Sequence, residues 1–273
     1  MRDSRVSLLM RNLRIDVEYD GNGYHGWQYQ PNSKTIQEVI EETVFKITQE
    51  RSTIIGAGRT DAGVHAQGQV ANFHTQSTLD VHSFRSALNS LLPRDIVVKK
   101  VTEARLSFHA RKDAIKKRYE YWILNGPVSS AFYYRYSWYI RYPLDMERMK
   151  MGSLHLLGQH DFSSFRASGC ECGSSAIRTI SNIDFTRYTD GRIRLGLEAN
   201  AFLRCMARVL VGTLVDVARG RIEESAVSSI MEARDRRRAG KTAPPHGLFL
   251  KWVLYSPGAD MEGEKSVDGV AAG

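Results

Sequence analysis

No stretch of this 273-residue chain approaches the roughly 18 consecutive apolar residues that a membrane-spanning helix requires, and no basic amphipathic helix dominates it. A membrane partner is therefore not expected. Cysteine is scarce too: three residues, an odd number, make no disulfide framework, which fits a reducing compartment. Cys170 and Cys172 are spaced C-x-C, whereas zinc sites normally use C-x₂₋₄-C with two further ligands, for which His155 and His160 are the nearest candidates. Free thiols on a loop and no bound metal are the expectation. The N-terminal MRDSRVSLLMRN has charges but no apolar core of signal-peptide length and no small-residue cleavage site, which predicts a cytoplasmic protein. Acidic residues are also in deficit, 30 Asp and Glu against 38 Lys and Arg, for a formal charge of +8. Such an excess favours a polyanionic partner, nucleic acid above all.

What is present is a globular core: hydrophobic residues make up 42% of the sequence, enough for one large domain or two moderate ones. LRIDVEYDG alternates apolar and polar residues before a turn at Gly21, as a half-buried strand does. From Thr35, TIQEVIEETVFKITQE places Ile36, Val39, Ile40, Thr43, Val44 and Ile47 near helical spacing, with acids early, where the helix dipole favours them. A short strand TIIGA, a glycine-rich loop, a strand QVANFHT, a helix VHSFRSALNSLL closed by Pro93 and a strand DIVVKKV follow. A similar order then recurs: the strand RYEYWIL, an aromatic run near SWYIRY, and the helix DMERMKMGSLHLLG. Two long strands, IRTISNIDFTRY and RIRLGLEAN, are joined by a TDG turn that suits a hairpin. The most apolar helix, AFLRCMARVLVGTLVDVARG, a polar helix EESAVSSIMEARDRR and a last strand GLFLKWVLY complete the pattern. The predicted fold class is α+β, with two similar halves over residues 1–105 and 106–256, each a mainly antiparallel sheet backed by helices. Residues 257–273 have no apolar periodicity and read as a disordered tail.

The glycine-rich loop GAGRTDAGVHAQG fits neither familiar phosphate-binding pattern. A dinucleotide fingerprint G-x-G-x-x-G from Gly56 and Gly58 needs glycine where Asp61 stands, and a P-loop from Gly58 to Gly63 needs Lys followed by Ser or Thr where Val64 and His65 stand. A carboxylate among backbone amides would also repel a phosphate. What remains is a strand-to-loop junction in which Gly58 and Gly63 permit a tight turn or a close approach. Such a loop can present the Arg59 guanidinium and the Asp61 carboxylate to a ligand; alternatively, Asp61 simply satisfies turn amides. His65, His74 and His109 raise acid/base cleavage of RNA by paired imidazoles, but their spacing is not diagnostic.

Arg111, Lys112, Lys116, Lys117 and Arg118 gather just before the strand that bears Tyr119, with Asp113 the one acid among them. Basic groups so placed can guide phosphates toward a site. A second basic run, ARDRRRAGK, reads as a solvated face. Arg208 lies inside so apolar a helix that it needs a buried partner or a route for its head to solvent.

In order and spacing, YDGNGYHGWQYQPNSKTIQEVIE, GAGRTDAGVHAQGQVANFH, FHARKDAIKKRYEYWI, GQHDFSSFRA, FLRCMARVLVGTL and AGKTAPPHGLFL together resemble the motifs of the tRNA pseudouridine synthase A family, from Leu13 to Tyr255. The resemblance implies the pseudouridine synthase fold with an active-site cleft between the halves, and a reaction without a cofactor. Asp61 matches the aspartate of the family's G-R-T-D motif, the essential catalytic carboxylate, and Arg208 matches its partner. Tyr119 matches the active-site tyrosine, whose ring can stack on uracil and whose hydroxyl could help to remove the C5 proton. Tyr121 is its period-two neighbour, and both could instead be plain core residues. Arg59 could fill the gap left by an extruded base or hold a phosphate. Arg111, Lys116 and Lys117 are the further candidates for RNA contact. The resemblance also implies a tRNA substrate, uridines at positions 38, 39 and 40 of the anticodon stem-loop as targets, and a homodimer in which tRNA touches both subunits. Two features depart from the pattern: Ala207 stands where valine is more usual, and GCECGSSAIRTI is an individual loop.

Pseudouridylation breaks the bond from ribose C1′ to uracil N1, turns the base and joins C1′ to C5. A carboxylate could attack C1′, add to C6 of the base, or take a ribose 2-proton, and all three routes stay open on the sequence. Each needs Asp61 ionised yet shielded from water. Burial raises a carboxylate's pKa and a neighbouring cation lowers it, so a paired arginine is expected. The rival from another class is a non-catalytic RNA-binding protein or chaperone with the same basic surface.

Overall fold

The computed structural model describes residues 9–167 and 175–258. Cys170, Cys172 and all of the predicted tail beyond Gly258 lie outside the described residues. In chain order the elements are β1 (Arg11–Tyr19), α1 (Ile36–Thr48), β2 (Ile55–Gly56), β3 (His65–Thr75), α2 (Val81–Leu91), β4 (Ile96–Ala104), β5 (Ala114–Asn125), β6 (Trp138–Ile140), α3 (Met146–Leu154), β7 (Gly158–Asp161), β8 (Ile177–Arg187), β9 (Arg192–Ala199), α4 (Met206–Ala218), α5 (Ala226–Glu232) and β10 (Leu248–Tyr255).

The helices begin where side chains can take the orphan amides of a first turn. Thr35 and Glu38 cap α1 reciprocally, each side chain accepting from the other's backbone N–H, and Asp80 and Asp145 accept from the first turns of α2 and α3. Among the described residues the strands form one ten-stranded sheet in the order β4-β1-β3-β10-β5-β9-β8-β7, with β2 added beside β3 and β6 beside β5. The α+β class with mainly antiparallel pairing holds; the parallel pairs are β3 with β10 and β5 with β6. Strands from either side of residue 105 meet where β10, the last strand among the described residues, slots between β3 and β5.

The alternation of the strands gives that sheet one continuous apolar face. Leu13, Ile15 and Val17 of β1, Phe73 of β3, Leu250 of β10, Tyr121 of β5 and Leu197 of β9 are all essentially inaccessible and belong to one packed cluster with α1, α2 and α4. A smaller cluster on the other face packs Val70 against Phe108, Ala110 and Tyr255.

Several expected boundaries move. TIIGA yields only the two-residue β2, although Ala57 N still bonds Val70 O at 2.7 Å along the same register. QVANFHT extends back to His65. The helix expected from Ala201 begins at Met206: Cys205 is left-handed, φ 61°, which no continuing α-helix allows. The polar helix shrinks to α5, and its arginine run becomes a short 3-10 turn over Arg236–Arg238. β7 has no counterpart among the expected strands.

Candidate active site

The Asp61 loop runs from β2 to β3 and is fixed by hydrogen bonds from buried side chains and neighbouring backbone. Gln69, fully buried on β3, clamps Gly58 from both sides: its Oε1 accepts from Gly58 N at 3.2 Å and its Nε2 donates to Gly58 O at 2.6 Å. Thr60 shares a 2.8 Å hydroxyl hydrogen bond with Tyr19, and its carbonyl accepts from Trp27 N at 3.1 Å. Val64 N donates to Asp61 O at 3.1 Å, closing a four-residue turn whose third position, Gly63, has φ +75°. Gly26 lies so close beneath the loop that a Cβ there would stand 2.6 Å from Thr60 O. The chain from Tyr19 to Trp27 is thus the floor on which Asp61 is set, a physical reason for YDGNGYHGW to accompany GRTDAGVHA.

The carboxylate meets its counter-charge from α4. Arg208 sits in the first turn of α4, where the helix dipole disfavours a cation, and its Nη1 donates to Asp61 Oδ2 at 3.0 Å. Its Nε donates to Ala243 O at 2.8 Å, while Ala243 N returns a 3.0 Å bond to Arg208 O. No side chain of its own caps this helix end, so Asp61 supplies negative charge near it. The segment before β10 lies hard against α4; a Cβ on Gly212 would be 1.7 Å from Lys241 O. Arg236, from the run read as a solvated face, donates to the carbonyls of Ala239 and Gly240 and to Thr242 Oγ1, and so holds this strap. Cys205 lies beside Asp61, and burial first, then that carboxylate, pushes its thiol up to about 11.

Tyr119 and Tyr121 share the helix-covered face of β5 but differ in role. Tyr121 is fully buried and donates to Pro244 O at 2.8 Å, a core residue that anchors the strap. Tyr119 turns toward the loop: its hydroxyl lies 3.6 Å from where a Gly58 Cβ would be, and Phe202 meets its ring edge-on at 4.9 Å. Burial, then Tyr19 and the Asp61 charge, raise the Tyr119 pKa, so the phenol stays protonated.

The basic run is split by strand alternation. Lys117 shares the face of Tyr119; its side chain is buried, and Nζ donates to Ala57 O at 2.6 Å. Lys116 and Arg118 point to the opposite face. There Arg118 binds Asp184 and Glu198, and Lys116 Nζ lies 3.8 Å from Glu198. The structure therefore brings Asp61, Arg208, Tyr119 and Lys117 together and leaves Lys116 out. Arg59 and Arg111 are exposed, and neither side chain has a bonded partner among the described residues. The three histidines do not pair as imidazoles. His65 stacks on Phe249 at 4.5 Å and accepts from Gly21 N; His74 contacts Leu106 O; His109 Nδ1 accepts from the backbone of Arg111 and Lys112. Among the described residues no group of three or more His, Cys, Asp or Glu converges as for a metal ion, and no helix is long and apolar enough to cross a membrane.

Gln69, Thr60 and Phe202 escaped sequence reasoning. Gln69 had one available signal, a polar residue on the same face of the strand as Ala71 and Phe73.

A carboxylate in ion pair with an arginine, a protonated tyrosine and a buried lysine are gathered where β3, β10 and β5 join, a set of groups able to serve acid/base or nucleophilic chemistry. The tRNA pseudouridine synthase family matches residues 16–112 and 153–256, and the chain belongs to that family. Among curated relatives, the tRNA pseudouridine synthase A of Thermoanaerobacter sp. strain X514 is 48% identical over 246 residues, 90% of this chain and all of that protein. Those of Acetivibrio thermocellus and Geotalea daltonii are each 44% identical over the same shares.

Proposed function

We propose that this protein isomerises uridine to pseudouridine in tRNA, at positions 38, 39 and 40 of the anticodon stem-loop, with Asp61 as the essential carboxylate. The observation that carries the reading is the Asp61–Arg208 pair, 3.0 Å apart, set beside Tyr119 in a member of this family. Arg208 pairs with the carboxylate and aims it in a partly shielded position, an arrangement that suits attack at C1′, addition at C6 and abstraction of the ribose 2-proton alike. Tyr119, ring buried and hydroxyl free of hydrogen bonds among the described residues, suits stacking on an extruded base. Arg59 and Arg111, exposed beside the cleft, suit contacts to RNA phosphates at its mouth. The enzyme works without a cofactor, as a homodimer in the cytoplasm.

The test is tritium release from C5-labelled uridine in an unmodified tRNA transcript, with wild type compared with Asp61→Asn and Asp61→Ala. Wild type releases tritium; both variants bind tRNA but release none. An active Asp61→Ala protein would refute the assignment, and a wild type that binds without release would make the protein an RNA binder.

A further inference from the structure

Most glycines of the Asp61 loop answer to the protein itself. A Cβ on Gly56 would strike the Trp27 ring at 2.5 Å, Gly63 has φ +75°, and a Cβ on Gly68 would stand 2.5 Å from Lys251 O. Gly58 answers to none of these demands. Its φ is not left-handed, and the nearest atoms a Cβ there would meet are Tyr119 Oη at 3.6 Å and Lys117 Cδ and Nζ at 3.9 Å, ordinary contact distances. An alanine would fit the free protein, so the space kept open at Gly58 is explained by something that approaches from outside.

The groups around that space are complementary to a base edge. Lys117 Nζ gives one hydrogen bond to Ala57 O, the only partner its ammonium has among the described residues, which leaves two N–H donors. The lysine is 8% exposed, whereas Arg59 and Arg111 lie at the surface. A phosphodiester of a docked RNA stays at the level of those arginines; an extruded base is what reaches the depth of Lys117.

We propose, resting on the function above, that Gly58, Lys117 and Tyr119 form the uracil pocket, in which Lys117 donates a hydrogen bond to a carbonyl oxygen of the base and stabilises the negative charge it gains in the reaction. When C1′–N1 breaks, its electron pair goes to the base and spreads over N1 and both carbonyl oxygens. The base turns, C5 bonds to C1′, the C5 proton leaves to a base and N1 takes up a proton, so composition is unchanged. Lys117 keeps its own proton throughout; it acts as a fixed donor aimed at developing charge. Burial first, then the positive charges of Arg111 and Arg178, bring its pKa down to about 8, which makes the ammonium a better hydrogen-bond donor than a solvated lysine.

The experiment is a cycle between side chain and substrate atom. Single-turnover conversion is measured for transcripts bearing uridine, 2-thiouridine or 4-thiouridine at one target position, read by chromatography of the digested nucleosides, with wild type, Lys117→Met and Gly58→Ala. Lys117→Met should convert uridine about a hundredfold more slowly while binding tRNA nearly as well. Sulfur accepts hydrogen bonds poorly, so at the contacted carbonyl the thio-to-oxo rate ratio should be about tenfold lower for wild type than for Lys117→Met. A structural loss caused by freeing Ala57 O would leave that ratio alone. Gly58→Ala should melt with the wild type, keep the Lys117–Ala57 bond and lose at least about tenfold in rate. Equal ratios at both thio positions, or a fully active Gly58→Ala, would overturn the pocket while wild-type turnover upholds the function. A wild type inactive on the unmodified transcript overturns the function and the pocket with it.

Discussion

Replacing Arg208 with methionine tests whether the ion pair is a structural strut as well as a catalytic device. The arginine makes two bonds from one planar group, to Asp61 Oδ2 at 3.0 Å and to Ala243 O at 2.8 Å, and so ties the loop, the strap and α4 together. The paired side chains are 15% and 24% exposed, neither dry nor freely solvated. Exposed pairs are worth up to about 1 kcal/mol and breaking a buried pair costs about 3–5 kcal/mol, so a coupling of about 1–2 kcal/mol is the expectation here. For a chain of this size that corresponds to roughly 2–4 °C in Tm. The assay is thermal unfolding of wild type, Arg208→Met, Asp61→Asn and the double variant. Arg208→Met alone strands a carboxylate, whereas the double variant strands none, so the double should melt above the temperature reached by adding the single losses. Additive losses, to within about 1 °C, would mean that the pair contributes no coupling to stability and would refute the reasoning. Arg208→Lys keeps the charge but cannot hold both acceptors from one plane. It should retain part of the Tm and lose about a hundredfold in tritium release, the scale on which small misplacements of a catalytic group are felt.

Gly26→Ala should lower the melting point and turnover together: φ is +90° there, and the new methyl would stand 2.6 Å from Thr60 O, so the Asp61 turn must shift, at a cost of about 1–3 kcal/mol. Wild-type Tm and tritium release in that variant would show that the Tyr19–Trp27 floor does not position Asp61. Lys117 predicts a descending limb of single-turnover rate as pH rises through about 8, where the donor loses its charge amid Arg111, Arg178 and the Tyr119 phenol. Stability should change the other way: the unfolded lysine holds its proton to its ordinary pKa and the folded one only to about 8, so between these values the unfolded state binds more protons and the fold gains stability as pH rises. Lys117→Arg, which stays charged, should move the rate limb upward, and an unmoved limb would assign it to another group.

Which residues would be brought together was largely legible in the sequence, because Asp61, Arg208 and Tyr119 stand in motifs whose residue types and spacing are specific. Facing was less legible. Period-two alternation along KKRYEY does say that Lys117, Tyr119 and Tyr121 share one face and that Lys116, Arg118 and Glu120 share the other. It does not say which face meets the loop, since that depends on β10 arriving from the end of the chain to pair Leu250 with Tyr119 and Leu248 with Tyr121. Lys116 was therefore grouped with Lys117 as a contact for RNA, although its neighbours Arg118 and Glu198 place it in an ion-pair network on the far side.

The start of α4 was hidden for a different reason. Phe202, Met206, Val209 and Leu210 recur at helical spacing, so periodicity alone carries the helix back to Ala201. The usual boundary signal, a capping Ser, Thr, Asp or Asn directly before the first turn, is missing, and Cys205 caps nothing. The apolar character of Phe202 has another source: instead of continuing the helix, the chain turns at Cys205, φ 61°, and sends that ring edge-on against Tyr119. A helix continued back through Cys205 would carry Phe202 away from Tyr119 and cover the helix end that Asp61 now faces. The break in the helix is thus part of what builds the site, and local propensity gave no warning because the constraint that fixes it lies some 140 residues away, at the Asp61 turn, |i−j| = 147 from Arg208.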